Sequence, residues 1–322
     1  MIKALLPLIL TVFCTIISLD AKAQNASKPR LVKLPFAFSR FEREPMENTP
    51  VVFNSRLLMV GNYRPSGESS FRDKDSYLYI EDLQTGDEVV RFGNAHSFVS
   101  AYVSNDELNV FALDFTASGK VWNSNGINRF VTKDLKNWEE EKIILPDGNE
   151  NLFNTSVCKD DNGYLMAYES NRPVQFCFKF ARSKDLSKWE KIPGLVFTGE
   201  NKEYSACPLI RYFPPYYYVI YLHAPIANHN GYVSYLARSA NLSDWELSSL
   251  NPILEAEKEE GINNSDVDIM EYKGKTYLYY AIGDQATWTT VRVAMYDGAQ
   301  KDFFESHFPN GQSFKKVSAK YE

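Results

Sequence analysis

The chain has 322 residues and a formal net charge of −6, with 24% charged side chains. That balance argues against nucleic acid or an anionic membrane surface as a partner. Aromatic residues make up 14%, with 20 Tyr, 21 Phe and 5 Trp. They fit a β-rich core, with a minority left over for stacking on sugar rings.

In chain order, Lys3 precedes an apolar run from Ala4 to Ser18, followed by Ala21-Lys22-Ala23. A basic start, a short apolar stretch and small residues before a cut predict a signal peptide at 1–23 and an exported chain, periplasmic or extracellular. The run is short for a membrane span, and Phe13 before Cys14 argues against a lipid anchor. Residues 24–48 form an N-terminal segment that offers a ring-closing outer strand, 49–309 the main domain, and 310–322 a polar tail.

Within the main domain, hairpins punctuated by turn residues recur. The first pairs Pro50–Phe53 with Arg56–Asn62 across Asn54-Ser55, then Ser76–Ile80 follows. The second pairs Ser97–Val103 with Leu108–Phe115, and Ile127–Thr132 follows. The third pairs Ser156–Lys159 with Tyr164–Glu169 and continues into Phe176–Arg182. The fourth pairs Cys207–Tyr212 with Tyr216–Leu222 and continues into Tyr232–Arg238. The last pairs Val267–Tyr272 with Lys275–Tyr280 across Lys273-Gly274, then Thr290–Tyr296.

The middle three units end alike: Thr132-Lys-Asp-Leu-Lys-Asn-Trp138-Glu139, Ser183-Lys-Asp-Leu-Ser-Lys-Trp189-Glu190 and Ser239-Ala-Asn-Leu-Ser-Asp-Trp245-Glu246. A repeat of about 50 residues with three or four strands per unit predicts an all-β, five-bladed β-propeller; the alternative is a large β-sandwich. Cleavage of the leader leaves Cys158, Cys177 and Cys207, an odd number that argues against a disulfide framework. No Cys/His cluster has metal-ligand spacing, so no cofactor is expected; a structural calcium ion and the oligomeric state are left open.

These motifs resemble the five-bladed propeller glycosidases, the superfamily containing glycoside hydrolase families 43, 32 and 117, over nearly all of the chain after the leader. The segments Asn154-Thr-Ser-Val157, Ser205-Ala-Cys-Pro-Leu-Ile-Arg211 and Asn263-Asn-Ser-Asp-Val-Asp268 look like a separate branch of bacterial exported members. The resemblance implies three carboxylates on the inner strands of successive blades. Three departures stand out. Ala206-Cys207-Pro208 replaces a Glu-Cys-Pro motif, Glu47-Asn48-Thr49-Pro50 stands for the usual Asp-Pro, and Asn154-Thr155-Ser156 for Arg-Asp-Pro.

Glycoside hydrolysis needs two carboxyl groups flanking the bond. Asp266 and Asp268 lie two apart on an inner strand, so the pleat puts both on one face, where like charges raise one pKa; the plainer reading is a strand cap. Glu169 interrupts an apolar strand, either as a catalytic acid or in a salt bridge with Arg172 or Arg211. Glu47 stands where the relatives' base does, and Glu203, three residues before Ala206, either replaces the lost acid or is a solvated loop glutamate. His96 and His223, at strand ends, suit either proton transfer or an ordinary hydrogen bond. Arg211 offers a clamp for a uronate or sulfate, and Trp122 and Trp288 offer sugar platforms.

The expected function is glycoside hydrolysis, exo-acting on oligosaccharides from plant or algal polysaccharide. An inverting route would use Asp266 or Glu47 as base and Glu169 or Asp268 as acid. Two alternatives remain: a carbohydrate-binding propeller without catalysis, and a polysaccharide lyase using His96 or His223 beside Arg211.

Overall fold

A computed structural model describes residues 27–36, 46–64, 75–116, 124–200, 204–223, 231–285 and 287–321. After the short strand β1 (Val32–Lys33), four strands form the first sheet: β2 (Asn48–Phe53), β3 (Arg56–Tyr63), β4 (Tyr77–Asp82) and β5 (Glu88–Phe92). The second is β6 (His96–Ser104), β7 (Glu107–Asp114), β8 (Ile127–Thr132) and β9 (Glu139–Ile144). The third is β10 (Leu152–Asp160), β11 (Gly163–Ser170), β12 (Cys177–Ser183) and β13 (Trp189–Phe197). The fourth begins β14 (Ser205–Phe213), β15 (Tyr216–His223), β16 (Val233–Ser239) and β17 (Asp244–Leu247). The fifth contains β18 (Asn263–Tyr272), β19 (Lys275–Gly283) and β20 (Thr289–Tyr296). Helix α1 (Gln300–Ser306) and β21 (Lys315–Ser318) complete the chain.

The first strands of the sheets, β2, β6, β10, β14 and β18, contact one another in a closed circle. This is a five-bladed β-propeller. Every pairing within a blade is antiparallel, and apolar clusters fill the space between successive blades from the first to the fifth. The second, third and fourth sheets therefore bury both faces.

Three inner hairpins turn through pairs of left-handed residues: Asn54 and Ser55, Asn105 and Asp106, Lys273 and Gly274. Such pairs match the right-handed twist of the flanking strands. The repeated Asp/Asn-Leu turns also have a physical basis. In the third blade the Ser183 hydroxyl accepts from Leu186 N at 2.9 Å, while Asp185 accepts from Ser187 N and Lys188 N. Leu186 is left-handed, with φ of 68°, and the Trp189 indole N–H donates to its carbonyl at 2.7 Å. Ser239, Asn241, Leu242 and Trp245 repeat the arrangement in the fourth blade, as Thr132, Asp134 and Leu135 do in the second.

Both ends of the chain join blades as outer strands. β1 pairs with β20, Val32 opposite Met295, and so completes the fifth sheet. Lys33 reaches the fully buried Glu260 at 2.6 Å, where Arg292 at 3.0 Å and the Tyr280 hydroxyl at 2.7 Å also converge. Burial alone would raise the Glu260 pKa; hydrogen bonds from Glu257 N, Lys33 and Tyr280 hold it below the usual range. Residues 310–322, read above as a polar tail, instead supply β21, which pairs outside β17 and seats Ala319 in the core. Its exposed Lys315 and Lys316 explain the misreading, because charges suit an edge strand as well as a loose tail.

Candidate active site

The inner strands carry the chemistry because their ladders are broken near one end. β6, β10, β14 and β18 each hold a bulge there, between Ser97 and Ser100, Leu152 and Thr155, Ala206 and Leu209, and Ser265 and Asp268. Phe98, Phe153, Cys207 and Asp266 occupy one equivalent bulge position by register. Phe98, Cys207 and Asp266 are left-handed there, with φ of 57°, 50° and 51°. A bulge re-aims side chains that the pleat would otherwise alternate. β2 has no bulge, and its blade contributes Glu47, the residue just before the strand.

These residues surround a cleft of about 30 Å³ lined by Glu47, Asp266 and Asp268, with Asn48, Asn154 and Cys207 between them. Glu47 is buried against Arg64 at 3.0 Å and accepts from Asn62 Nδ2 at 3.3 Å. Burial pushes its carboxyl above the ordinary value despite the Arg64 charge, and the Asp266 charge pushes the same way. Glu169, 2% exposed, sits behind the wall and accepts from Asn154 Nδ2 at 3.0 Å and Cys207 N at 2.9 Å. Its pKa is pushed up to about 8, chiefly by burial, with the charges of Asp266 and Glu47 adding to the rise. Three carboxyl groups from blades 1, 3 and 5 are thus within electrostatic reach of one another.

Polar links run from blade to blade around the axis. Asn62 accepts from Val99 N at 3.1 Å, and the Ser100 and Thr155 hydroxyls meet at 2.6 Å. Ser156 accepts from Ile210 N at 3.0 Å, and Arg211 donates to Asp268 at 2.8 Å. The Thr49 hydroxyl donates to Asp268 and closes the circuit. The left-handed Cys207 backbone is what turns its N–H toward Glu169, while its thiol hydrogen-bonds Asp266 and its sulfur accepts from Asn154 at 3.3 Å.

No protein-family model matches the sequence, and no curated protein does. Solved structures do match. A protein titled glycoside hydrolase is 13% identical, with a TM-score of 0.64 over 85% of this chain and 93% of that one. A thermostable family-43 glycoside hydrolase is 12% identical, with a TM-score of 0.61 over 89% and 98%. An exo-1,5-α-L-arabinanase from a bovine ruminal metagenomic library is 10% identical, with a TM-score of 0.54 over 81% and 95%. The chain has the propeller fold of these glycoside hydrolases.

Among the sequence candidates, Glu47, Asp266 and Asp268 meet at the cleft, with Glu169 directly behind it. The route by which Asp266 and Asp268 arrive is not the one expected. The bulge interrupts the pleat between them, and they serve different partners. Asp268 is a clamp between blades, bound by Arg211, Ile269 N and Thr49. Its raised pKa comes first from burial, not from Asp266. Arg211 is therefore committed to Asp268 and the Ile269 carbonyl, which removes it as a clamp for an acidic sugar. Glu169 pairs with neither Arg172 nor Arg211; Arg172 is exposed, and amide donors do the work.

The histidines stand apart from the cleft lining. His96 is enclosed within blade 2, its Nδ1 on the Asn94 carbonyl at 2.9 Å and its Nε2 facing Asn128 Nδ2 at 3.1 Å. His223 is buried and stacks on Tyr235 at 4.4 Å. Trp288 packs against the core between blades 4 and 5, so it is no open platform. Trp122 and Glu203 lie outside the described residues.

Sequence reasoning missed Asn48, Asn62, Arg64 and Cys207. Asn62 and Arg64 gave one signal, polar side chains at the end of an otherwise apolar strand. It also missed a continuous run of rings, Phe98 to Phe153 at 5.8 Å, Phe176 at 5.6 Å, Tyr204 at 4.6 Å and Tyr232 at 5.6 Å. Arg64 lies over its Phe98 end at 4.7 Å. Tyr204 and Tyr232 are stacked and only partly buried.

Proposed function

We propose that the chain is an exo-acting glycoside hydrolase, exported to act on oligosaccharides from external polysaccharide, with Glu47 as proton donor and Asp266 as base. One observation carries this reading: Glu47 and Asp266 line one small cleft, and Glu169 is buried directly behind it. Three carboxylates in that space cannot all hold a charge at neutral pH, so proton donor and base coexist there. Geometry decides the roles before acidity does. Glu47 and Asp266 line the cleft, whereas Glu169 lies behind it and acts on them through its charge state. When Glu47 gives up its proton to the leaving oxygen, Arg64 and Asn62 are already in place to hold the anion.

The exo mode is supported by the arabinanase among the structural neighbours. The stacked, partly buried Tyr204 and Tyr232 suit a platform for a sugar ring. A sugar-binding propeller without catalysis is the second reading, favoured by Ala206, which is buried in β14 and brings no acid. The lyase reading loses support, because neither His96 nor His223 lines the cleft and Arg211 is taken.

The test is turnover of aryl glycosides of D-xylose, L-arabinose, D-galactose and D-glucose. Glu47→Gln should lose activity on phenyl glycosides but keep much of it on 2,4-dinitrophenyl glycosides, whose leaving group needs no proton. Asp266→Asn should lose both. Wild-type turnover by Asp266→Asn would sink the assignment, and binding without turnover by the wild type would favour the second reading.

A further inference from the structure

Asn48, the first residue of β2, lines the cleft next to Glu47 and is 5% exposed. Its Nδ2 donates to the Met46 carbonyl at 2.8 Å. That bond fixes the amide's orientation, because the flipped form would set oxygen against oxygen. Oδ1 therefore faces the other way, buried and without a hydrogen-bond partner in the protein. An acceptor stripped of water and left unpaired is costly, and native proteins keep few of them.

The neighbours do not satisfy it. Ser100 and Thr155 bond each other, Asn154 donates to Glu169 and to the Cys207 sulfur, and Asp268 is held by Arg211. The cleft beside it, about 30 Å³, is large enough to admit a water molecule or a hydroxyl group.

We propose that Asn48 is a specificity-determining residue whose Oδ1 accepts a hydrogen bond from a single hydroxyl of the terminal sugar, inserted into this cleft. The inference rests on the carbohydrate site proposed above but not on catalysis, since a propeller that only binds sugar would use the same contact. An acceptor fixed in this way reads a hydroxyl and refuses a hydrogen, an ether or a carboxylate at that position, because none of these donates a proton to it. The carboxylate of Asp266 adds repulsion against an anionic group.

The experiment is calorimetric binding of D-xylose, L-arabinose, D-galactose and D-glucose, each with its monodeoxy analogues, to the wild type, Asn48→Ala and Asn48→Leu. For a sugar that binds, one monodeoxy form should bind the wild type about tenfold to a hundredfold more weakly. Both variants should bind the parent sugar about as weakly as the wild type binds that deoxy form, and should no longer tell the two apart. Variants that bind like the wild type, or that keep its discrimination, overturn the inference. So does a wild type that binds none of the sugars, or binds every deoxy form as tightly as its parent, which needs no folded variant to observe. Aryl glycoside turnover on the same preparations separates the two ideas. Discrimination without turnover defeats only the hydrolase reading, and turnover without dependence on Asn48 defeats only this one.

Discussion

The outer turns and the inner strands of the propeller obey opposite rules. At the outer turns, Thr132, Ser183 and Ser239 each cap a left-handed leucine three residues before a tryptophan, with nearly the same distances in each blade. At the axis the blades diverge: the bulge position holds Phe98 and Phe153 in the second and third but Cys207 in the fourth and Asp266 in the fifth, and the first blade answers with Glu47 and no bulge. The turns need only close a hairpin and fill the gap to the next sheet, so one solution serves three times. The axial positions line one cleft from five directions, so each is shaped by its place around the ring. Repetition marks the frame, and departure from it marks the site.

The comparison can be broken at either end. The largest effect is expected at the axis, where Asp266→Asn should cut turnover by about a thousandfold or more while the melting temperature holds. At the frame, Trp245→Ala removes a fully buried side chain between blades 3 and 4 and should cost about 3–5 kcal/mol by denaturant unfolding. The activity of the molecules that remain folded should be unchanged.

Glu169 links the two regions through acidity. Its carboxyl, near 8 when folded against an ordinary 4.5, binds its proton more readily in the folded chain. Protonation therefore stabilises the fold: the contribution is complete below about pH 4.5 and is lost as pH rises through about 8. Melting temperatures should fall across that window in the wild type, and the fall should be shallower in Glu169→Gln. Equal slopes would show that burial does not hold the proton there. The smallest effect belongs to one turn: Ser183→Ala removes the acceptor for Leu186 N and should cost about 1 kcal/mol in chemical denaturation.

The propeller was legible because its causes are local. Turn residues at Asn54-Ser55 and Lys273-Gly274, and leucine turns ahead of Trp138, Trp189 and Trp245, act within a few residues of one another. The site was legible only as a set of acids. Glu169 stood out as a charge within an apolar strand, Asp266 by its spacing to Asp268 and Glu47 by its place ahead of the first blade, but the Glu169 partner Cys207 and the Asp268 partner Arg211 lie one blade away. Arg211 illustrates the limit. It follows a strand whose neighbour is settled by ring closure, and that neighbour, Asp268, takes the charge that seemed free for a substrate.

The amino-acid order by itself determined five antiparallel sheets, their hairpins and their capped turns, because hydrogen bonds and side-chain alternation there span short stretches of chain. Only the closed ring decided which carboxyls share a space, which arginines are spent, and that Lys315–Ser318 is a strand. Those outcomes depend on burial and on distances between residues far apart along the polymer, and neither exists until the fifth blade meets the first.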